Sequence, residues 1–324
     1  MPGLLAGQAP RIGIIDFYGL KKVSEESVRK VLTVKEGDPL PPSKSDVEEA
    51  IEKLPGVVLA SLEAVCCEAG KAILYVGIEE KGASHFALRS FPEGDVTLPT
   101  DILDTYQSFL DCVQEAVRQG ETGEDLTAGH SMMQNGAARR VQEKFLTIAA
   151  AQLSTIRDTL LNSRDEQHRA IAAYLIGYAP DKQAVVNDLQ TAMQDPDETV
   201  RSNAMRSLGA MMVLSQRKPD LGLKVSPTWF VEMLNSILWN DRHSAAVALV
   251  NLTESRDPSV LDSIRERGLD STAGMARWKH LPHSLPAYIL LGRVAGFPEK
   301  EIQDSWKKGD QEAFITRALK QIRK

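Results

Sequence analysis

A chain of 324 residues with only three cysteines, Cys66, Cys67 and Cys112, is not a disulfide framework. Three is both too few and an odd number for that purpose. No uninterrupted apolar run of about 18 residues occurs, so nothing spans a membrane as a helix. Positive charge is also short: Lys plus Arg number 38 against 44 Asp plus Glu, a formal net charge of −6. That balance argues against a chain given over entirely to nucleic-acid binding. Gly (22) and Pro (16) are at ordinary levels, which excludes collagen-like and low-complexity architectures. What is present is 43% hydrophobic and 25% charged residues, enough to bury real cores in two or three domains.

Catalytic signatures are scarce too. The sequence holds no glycine-rich phosphate loop, no dinucleotide fingerprint and no Gly-x-Ser-x-Gly elbow. His130-Ser131 reads as the start of a helix capped by Ser131 rather than as a nucleophile and its base. His280 and His283 lie three apart, but Pro282 intervenes and no cysteine or carboxylate cluster completes a zinc-type set. Cys66 and Cys67 are consecutive on a predicted strand, so one buried and one exposed thiol is expected. No catalytic residue, cofactor or metal ligand is therefore assigned.

Residues 1–10 read as the end of a secretory leader or as a disordered tail; Gly7 and Ala9 have the small side chains a signal peptidase requires. Ile12, Ile14, Ile15 and Phe17 then form a short strand, and Gly19 breaks it. Ser24 is a helix N-cap flanked by a Val23/Val28 staple, and Gly37-Asp38-Pro39 ends that helix. A second helix is predicted from Ser45, with Glu48 completing a capping box, up to Pro55-Gly56. Two strands follow, Val58–Ala64 and Ala72–Ile78. This βααββ order, with Ile12-Gly13-Ile14-Ile15-Asp16-Phe17-Tyr18-Gly19, Glu36-Gly37-Asp38-Pro39 and Ile78-Glu79-Glu80-Lys81, resembles a POTRA (polypeptide-transport-associated) domain over about 70 residues. The sequence departs from it at Val57-Val58-Leu59, where such domains often carry a Gly and a Phe. The resemblance implies an extracytoplasmic location, in the periplasm or cell envelope. It also implies partner binding by strand addition at the sheet edge, Val58, Leu59, Ala60, Ser61 and Leu62.

Between Phe91 and Asp125 nine carboxylates face a single arginine. Ile102, Tyr106, Phe109, Leu110, Val113 and Val117 recur there at helical spacing. This is a helix docked by its apolar side, its charges either simply solvated or presented to a basic partner.

Further on the sequence repeats itself. Asp165, Glu166, Arg169, Ala172 and Gly177 match Asp197, Glu198, Arg201, Ala204 and Gly209 at a spacing of 32 residues. Asp241-Arg242 opens a third copy, with Ala245 and Leu249 in register, and Ala287–Gly292 echoes a fourth. Spacings of this size mean stacked helix pairs. Capping boxes are predicted at Ser163/Glu166 and Asp195/Glu198, with Pro196 at a first helical position. The pattern resembles HEAT repeats, and with a POTRA-like head it also resembles bacterial HEAT-repeat proteins of no assigned activity. The resemblance implies a structural ladder made by Asp165, Arg169, Asp197, Arg201 and Arg242, lapsing at the third copy, where Asp and Arg are adjacent.

The expected fold class is thus multidomain, α+β and all-α: a small βααββ POTRA-like domain followed by an α-solenoid of HEAT-like repeats. The expected boundaries are a leader or tail at 1–10, the POTRA-like domain at 11–82, an acidic helical connector at 83–130 and the solenoid at 131–324. The expected function is a non-enzymatic protein-interaction scaffold. It would bind protein partners at the sheet edge and the concave solenoid face, in a membrane-associated complex if it lies at the envelope. The alternative is a HEAT-like DNA-binding enzyme of the alkylpurine glycosylase type. That reading draws on Trp229, Trp239, Trp278 and Trp306, and on an excess of 26 basic over 22 acidic residues in 126–324. Those basic residues scatter rather than form a stripe, so nucleic acid is not an expected partner.

Overall fold

The computed structural model describes residues 10–323, so the leader-or-tail expectation lies, apart from Pro10, outside the described residues. The chain divides into two compact units: one combines the residues up to Phe86 with those from Phe230 on, and the other is Ala87–Trp229. These divisions differ from the boundaries expected at 82 and 130.

The first unit starts with the βααββ order expected: β1 (Ile12–Tyr18), α1 (Glu25–Val31), α2 (Lys44–Glu52), β2 (Val57–Glu68) and β3 (Lys71–Glu80). The sheet order is β1-β3-β2, with β1 parallel and β2 antiparallel to β3. Ser24 caps α1 as predicted. Ser43, not Ser45, caps α2, and this frees the Glu48 side chain for another use. Alternation along β3 explains the layering. Leu74, Val76 and Ile78 join Ile15, Val28, Val47 and Ile51 in one core, whereas Tyr75 and Gly77 point the other way. Gly77 has no side chain for a physical reason: a Cβ there would lie 2.6 Å from the Ile237 carbonyl and 2.7 Å from the Tyr18 ring.

The middle unit opens with α3 (Thr100–Gln119), a short ribbon β4 (Glu124–Asp125) with β5 (Met132–Met133), and helices α4 (Gly136–Ala151), α5 (Leu153–Asn162), α6 (Glu166–Ile176), α7 (Gln183–Ala192) and α8 (Glu198–Arg217). The acidic helix α3 is built into this unit by Ile102, Phe109 and Ala116 and is not a connector. An extended segment leads into it; Arg89 donates to the carbonyls of Leu160 and Leu161 at 3.0 Å each, and Gly94 pairs with Ser163. Asn135 rather than Ser131 caps α4.

The chain continues through α9 (Thr228–Met233), α10 (Trp239–Leu252), α11 (Pro258–Arg267), α12 (Leu269–Met275), α13 (Leu281–Val294), α14 (Glu299–Lys308) and α15 (Gln311–Ile322). Trp229 lies on α9 and Trp239 opens α10. From Phe230 onward these helices share the first unit with the sheet, whose Tyr75 face they cover. A separate head was expected; the sheet instead buries both of its faces. Among the described residues no helix is long and apolar enough to cross a membrane.

Candidate functional site

The repeat arginines are anchored by a shared geometry. Arg169 Nη1 donates to Ser163 O at 2.9 Å, Arg201 Nη1 to Asp195 O at 2.7 Å, and Arg242 Nε to Ser236 O. Each guanidinium clamps the carbonyl six residues before it, closing the turn that leads into its own helix. The third copy therefore keeps the register of the first two despite its longer spacing. The acid that pairs with Arg169, however, is Asp195. Its buried carboxylate takes the buried Arg169 Nε at 3.0 Å and Nη2 at 2.9 Å, and the partly buried Arg89 as well. Asp165 and Asp197 do something else: each caps its helix, accepting amides from Gln167 and His168, and from Thr199 and Val200. Neither Ser163 nor Asp195 is the cap itself, and Pro196 lies ahead of α8 rather than in its first turn.

The sheet edge does not offer the free strand the sequence suggested. β2 is an edge strand, and Val58 and Leu59 are exposed, but Ala60, Ser61 and Leu62 are buried. The outward amides of Ala60 and Leu62 already donate to Glu52 at 3.0 Å and Glu48 at 2.7 Å from α2. Carboxylates laid along an edge in this way block edge-to-edge pairing. Replacing both, Glu48→Ala with Glu52→Ala, is expected to produce concentration-dependent association visible by light scattering. A variant that stays monomeric would show that these two carboxylates do not guard the edge.

Cys66 and Cys67 lie at the far end of the same hairpin. Both are exposed and they form a vicinal disulfide, contrary to the expectation of one buried and one exposed thiol. Cys112 is free.

The chemistry of the first unit concentrates where the sheet meets the helices. Tyr75 stacks on Trp239 with ring centroids 5.1 Å apart, and Trp239 stacks on His243 at 4.9 Å. The Tyr75 hydroxyl and His283 Nδ1 are 2.8 Å apart, and the His280 ring lies 4.0 Å from that of His283. Glu63 accepts the amides of Trp239 (2.6 Å) and Asn240 (3.3 Å), placing a carboxylate at the start of α10 where the helix dipole favours it. Burial nonetheless raises the Glu63 carboxyl above its ordinary range, and it raises Asp16 despite the Lys279 amide 2.8 Å away. Burial together with the neighbouring imidazoles holds His243 and His283 down at about 4. His280 and His283 thus belong to a packed aromatic cluster. Among the described residues no group of three or more His, Cys, Asp or Glu is arranged to hold a metal.

The middle unit has its own polar cluster. Ser131 is buried, its carbonyl accepts from Gln142 and Tyr178, and its hydroxyl from Arg206 at 3.2 Å. His130 Nδ1 faces Lys182 Nζ at 3.1 Å. The cavity among these residues measures about 10 Å³, room for a water at most and none for a substrate.

Larger spaces occur in the first unit. Two cavities of about 190 and 450 Å³ share Gly19, Lys21, Arg242, Asp270 and Ser271 in their walls. Arg242 is 5% exposed, and its guanidinium lies 4.7 Å above the Tyr18 ring. Burial draws its pKa down to about 10. The sequence placed Arg242 in the ladder and gave no sign of these cavities, because their walls come from segments some 220 residues apart.

In comparisons with known proteins, residues 153–249 match the family model of HEAT repeats, from α5 through most of α10. No curated protein matches the chain.

Proposed function

We propose that this chain is a non-enzymatic protein-interaction scaffold whose helical-repeat faces receive a protein partner. The carrying observation is the HEAT-repeat match over 153–249, since such repeats generally serve as protein-interaction scaffolds. The geometry agrees with it. The polar groups of the repeats are spent internally, on clamps, caps and the Arg169–Asp195 pair, which leaves helix faces as the chemistry on offer. In the same unit as the first repeats, α3 presents such a face, where Leu103, Leu110 and Val117 recur every seven residues and Leu110 and Val117 are 41% and 57% exposed. Leu146 of α4 is exposed as well. An apolar line of this spacing suits an amphipathic helix.

The βααββ order and the β1-β3-β2 sheet support a POTRA-like reading of the N-terminal module, and with it an extracytoplasmic location. The occupied amides of Ala60 and Leu62 move the expected partner contact from the sheet edge to the helices. The DNA-enzyme reading is weakened, because two of its four tryptophans, Trp239 and Trp278, are buried at 9% and 3% exposure. Fluorescence anisotropy with duplex DNA at low salt separates the two readings. The full-length protein is expected to show no binding; salt-sensitive binding would favour the enzyme.

A further inference from the structure

Arg242 combines three properties rarely found together. It is 95% buried, it lines two cavities of its unit, of about 190 and 450 Å³, and no carboxylate among the described residues pairs with it. Its hydrogen-bonding partner is the Ser236 carbonyl, which takes Nε, and its flat face rests on Tyr18. A buried guanidinium without a counter-charge is costly, and arginines so placed are ordinarily paired. Arg169, in the same register of the first repeat, has such a pair in Asp195. The nearby acids are engaged elsewhere, Asp270 by Lys21 at 3.0 Å and the buried Asp241 by the Ser236 hydroxyl at 2.8 Å. With Nε committed, the two Nη groups remain as an end-on fork, a match for the two oxygens of a carboxylate.

We propose that this cavity pair binds a small organic monocarboxylate, its acid group on the Nη atoms of Arg242 and its apolar body along Phe17, Leu20 and Leu319. The larger cavity, about 450 Å³, falls within the usual range for small-ligand sites and mixes apolar walls with a few polar groups. The remaining rim charge selects the ligand class. Lys21 is balanced by Asp270 and Arg277 by Glu312, whereas Arg242 and Arg323 line the larger cavity with no ion-pair partner among the described residues. These guanidinium groups select an anion, and the apolar walls at Phe17, Leu20 and Leu319 favour one with an organic body over inorganic phosphate. The inference is independent of the scaffold reading, which concerns helix faces in the other unit.

Calorimetric titration of the full-length protein with sodium benzoate, sodium hexanoate, inorganic phosphate and neutral benzamide tests it. Saturable binding of a carboxylate is expected, with phosphate and benzamide at least about tenfold weaker, the loss that follows from removing one charge-assisted pair. Arg242→Met should lower carboxylate affinity by about tenfold or more. Gly274 lines the larger cavity, and a Cβ there meets nothing within 4 Å. Gly274→Leu therefore fills the space while favouring its helix, and it should abolish binding with the fold intact. If Arg242→Met fails to fold, Gly274→Leu decides. No saturable carboxylate binding, equal binding of benzamide, tighter binding of phosphate, or unchanged affinity in a folded variant would each overturn the proposal.

Discussion

Asp195→Ala is expected to be among the most damaging single substitutions in the middle unit, costing about 3–5 kcal/mol. It leaves Arg169, 1% exposed, and the partly buried Arg89 without their shared carboxylate in a site closed to water. For a unit of this size that corresponds to a fall in Tm of roughly 10 °C. Asp165→Ala and Asp197→Ala make the informative comparison. Each removes a helix cap, so about 1 kcal/mol is expected from either. Chemical denaturation of the three variants side by side distinguishes a ladder built on Asp195 from one built on the two acids that align in the sequence. Equal losses in all three would contradict the assignment.

The second large effect is in pH. His243 and His283 have folded values near 4, below the ordinary 6.5, because burial and the surrounding imidazoles disfavour their charged forms. The unfolded chain therefore binds more protons than the folded one between these values, and stability falls as acid is added. The contribution is fully present above about pH 6.5, is lost progressively toward pH 4, and does not worsen further below it. The loss expected is on the order of 3 kcal/mol for the two rings together, allowing for solvent reaching His283. The charged and titratable groups around them, Glu63, Asp16, Tyr75, His280 and Lys279, set the baseline, so the variant matters more than the absolute curve. His243→Phe with His283→Phe should flatten the stability profile between pH 6.5 and 4 in urea titrations. A double variant as acid-sensitive as the parent would show that other groups govern the unit.

Local signals in the sequence carried much of the fold. The strand at Ile12–Tyr18, the cap at Ser24 and the repeating Arg169/Arg201 register all follow from spacing within one or two turns, and all describe the observed elements. Errors arose where two residues competed for one role. Ser43 and Ser45 can both start α2, and the choice depends on Glu48 reaching across to the Leu62 amide, a contact set by tertiary packing. Asp165 and Asp195 are both plausible partners for Arg169; only the stacking of α6 on α8 brings Asp195 to it. Asp197 aligned better in the sequence because caps repeat as faithfully as ladders do.

The long-range features had no local signature at all. Tyr75 on a strand and Trp239 at a helix start are 164 residues apart, yet they stack, because the helices from Phe230 onward return to the sheet. Alternation marked Tyr75 as lying off the α1/α2 core but could not say what covered it. Arg242 was read as structural, and it does clamp its turn; the two cavities that give it a second significance are walled by residues from both chain ends.

The central claim is that exposed helix faces of the unit that carries the first repeats, α3 among them, and not a reactive pocket, are what this protein presents. Its most direct test is a photo-crosslinking residue at Leu110, introduced into the full-length protein in its native cells, with the same residue at Lys320 as control. The scaffold account predicts a discrete adduct with one recurring protein from position 110 and none from position 320. Adducts with nucleic acid, or indistinguishable patterns from the two positions, would contradict it.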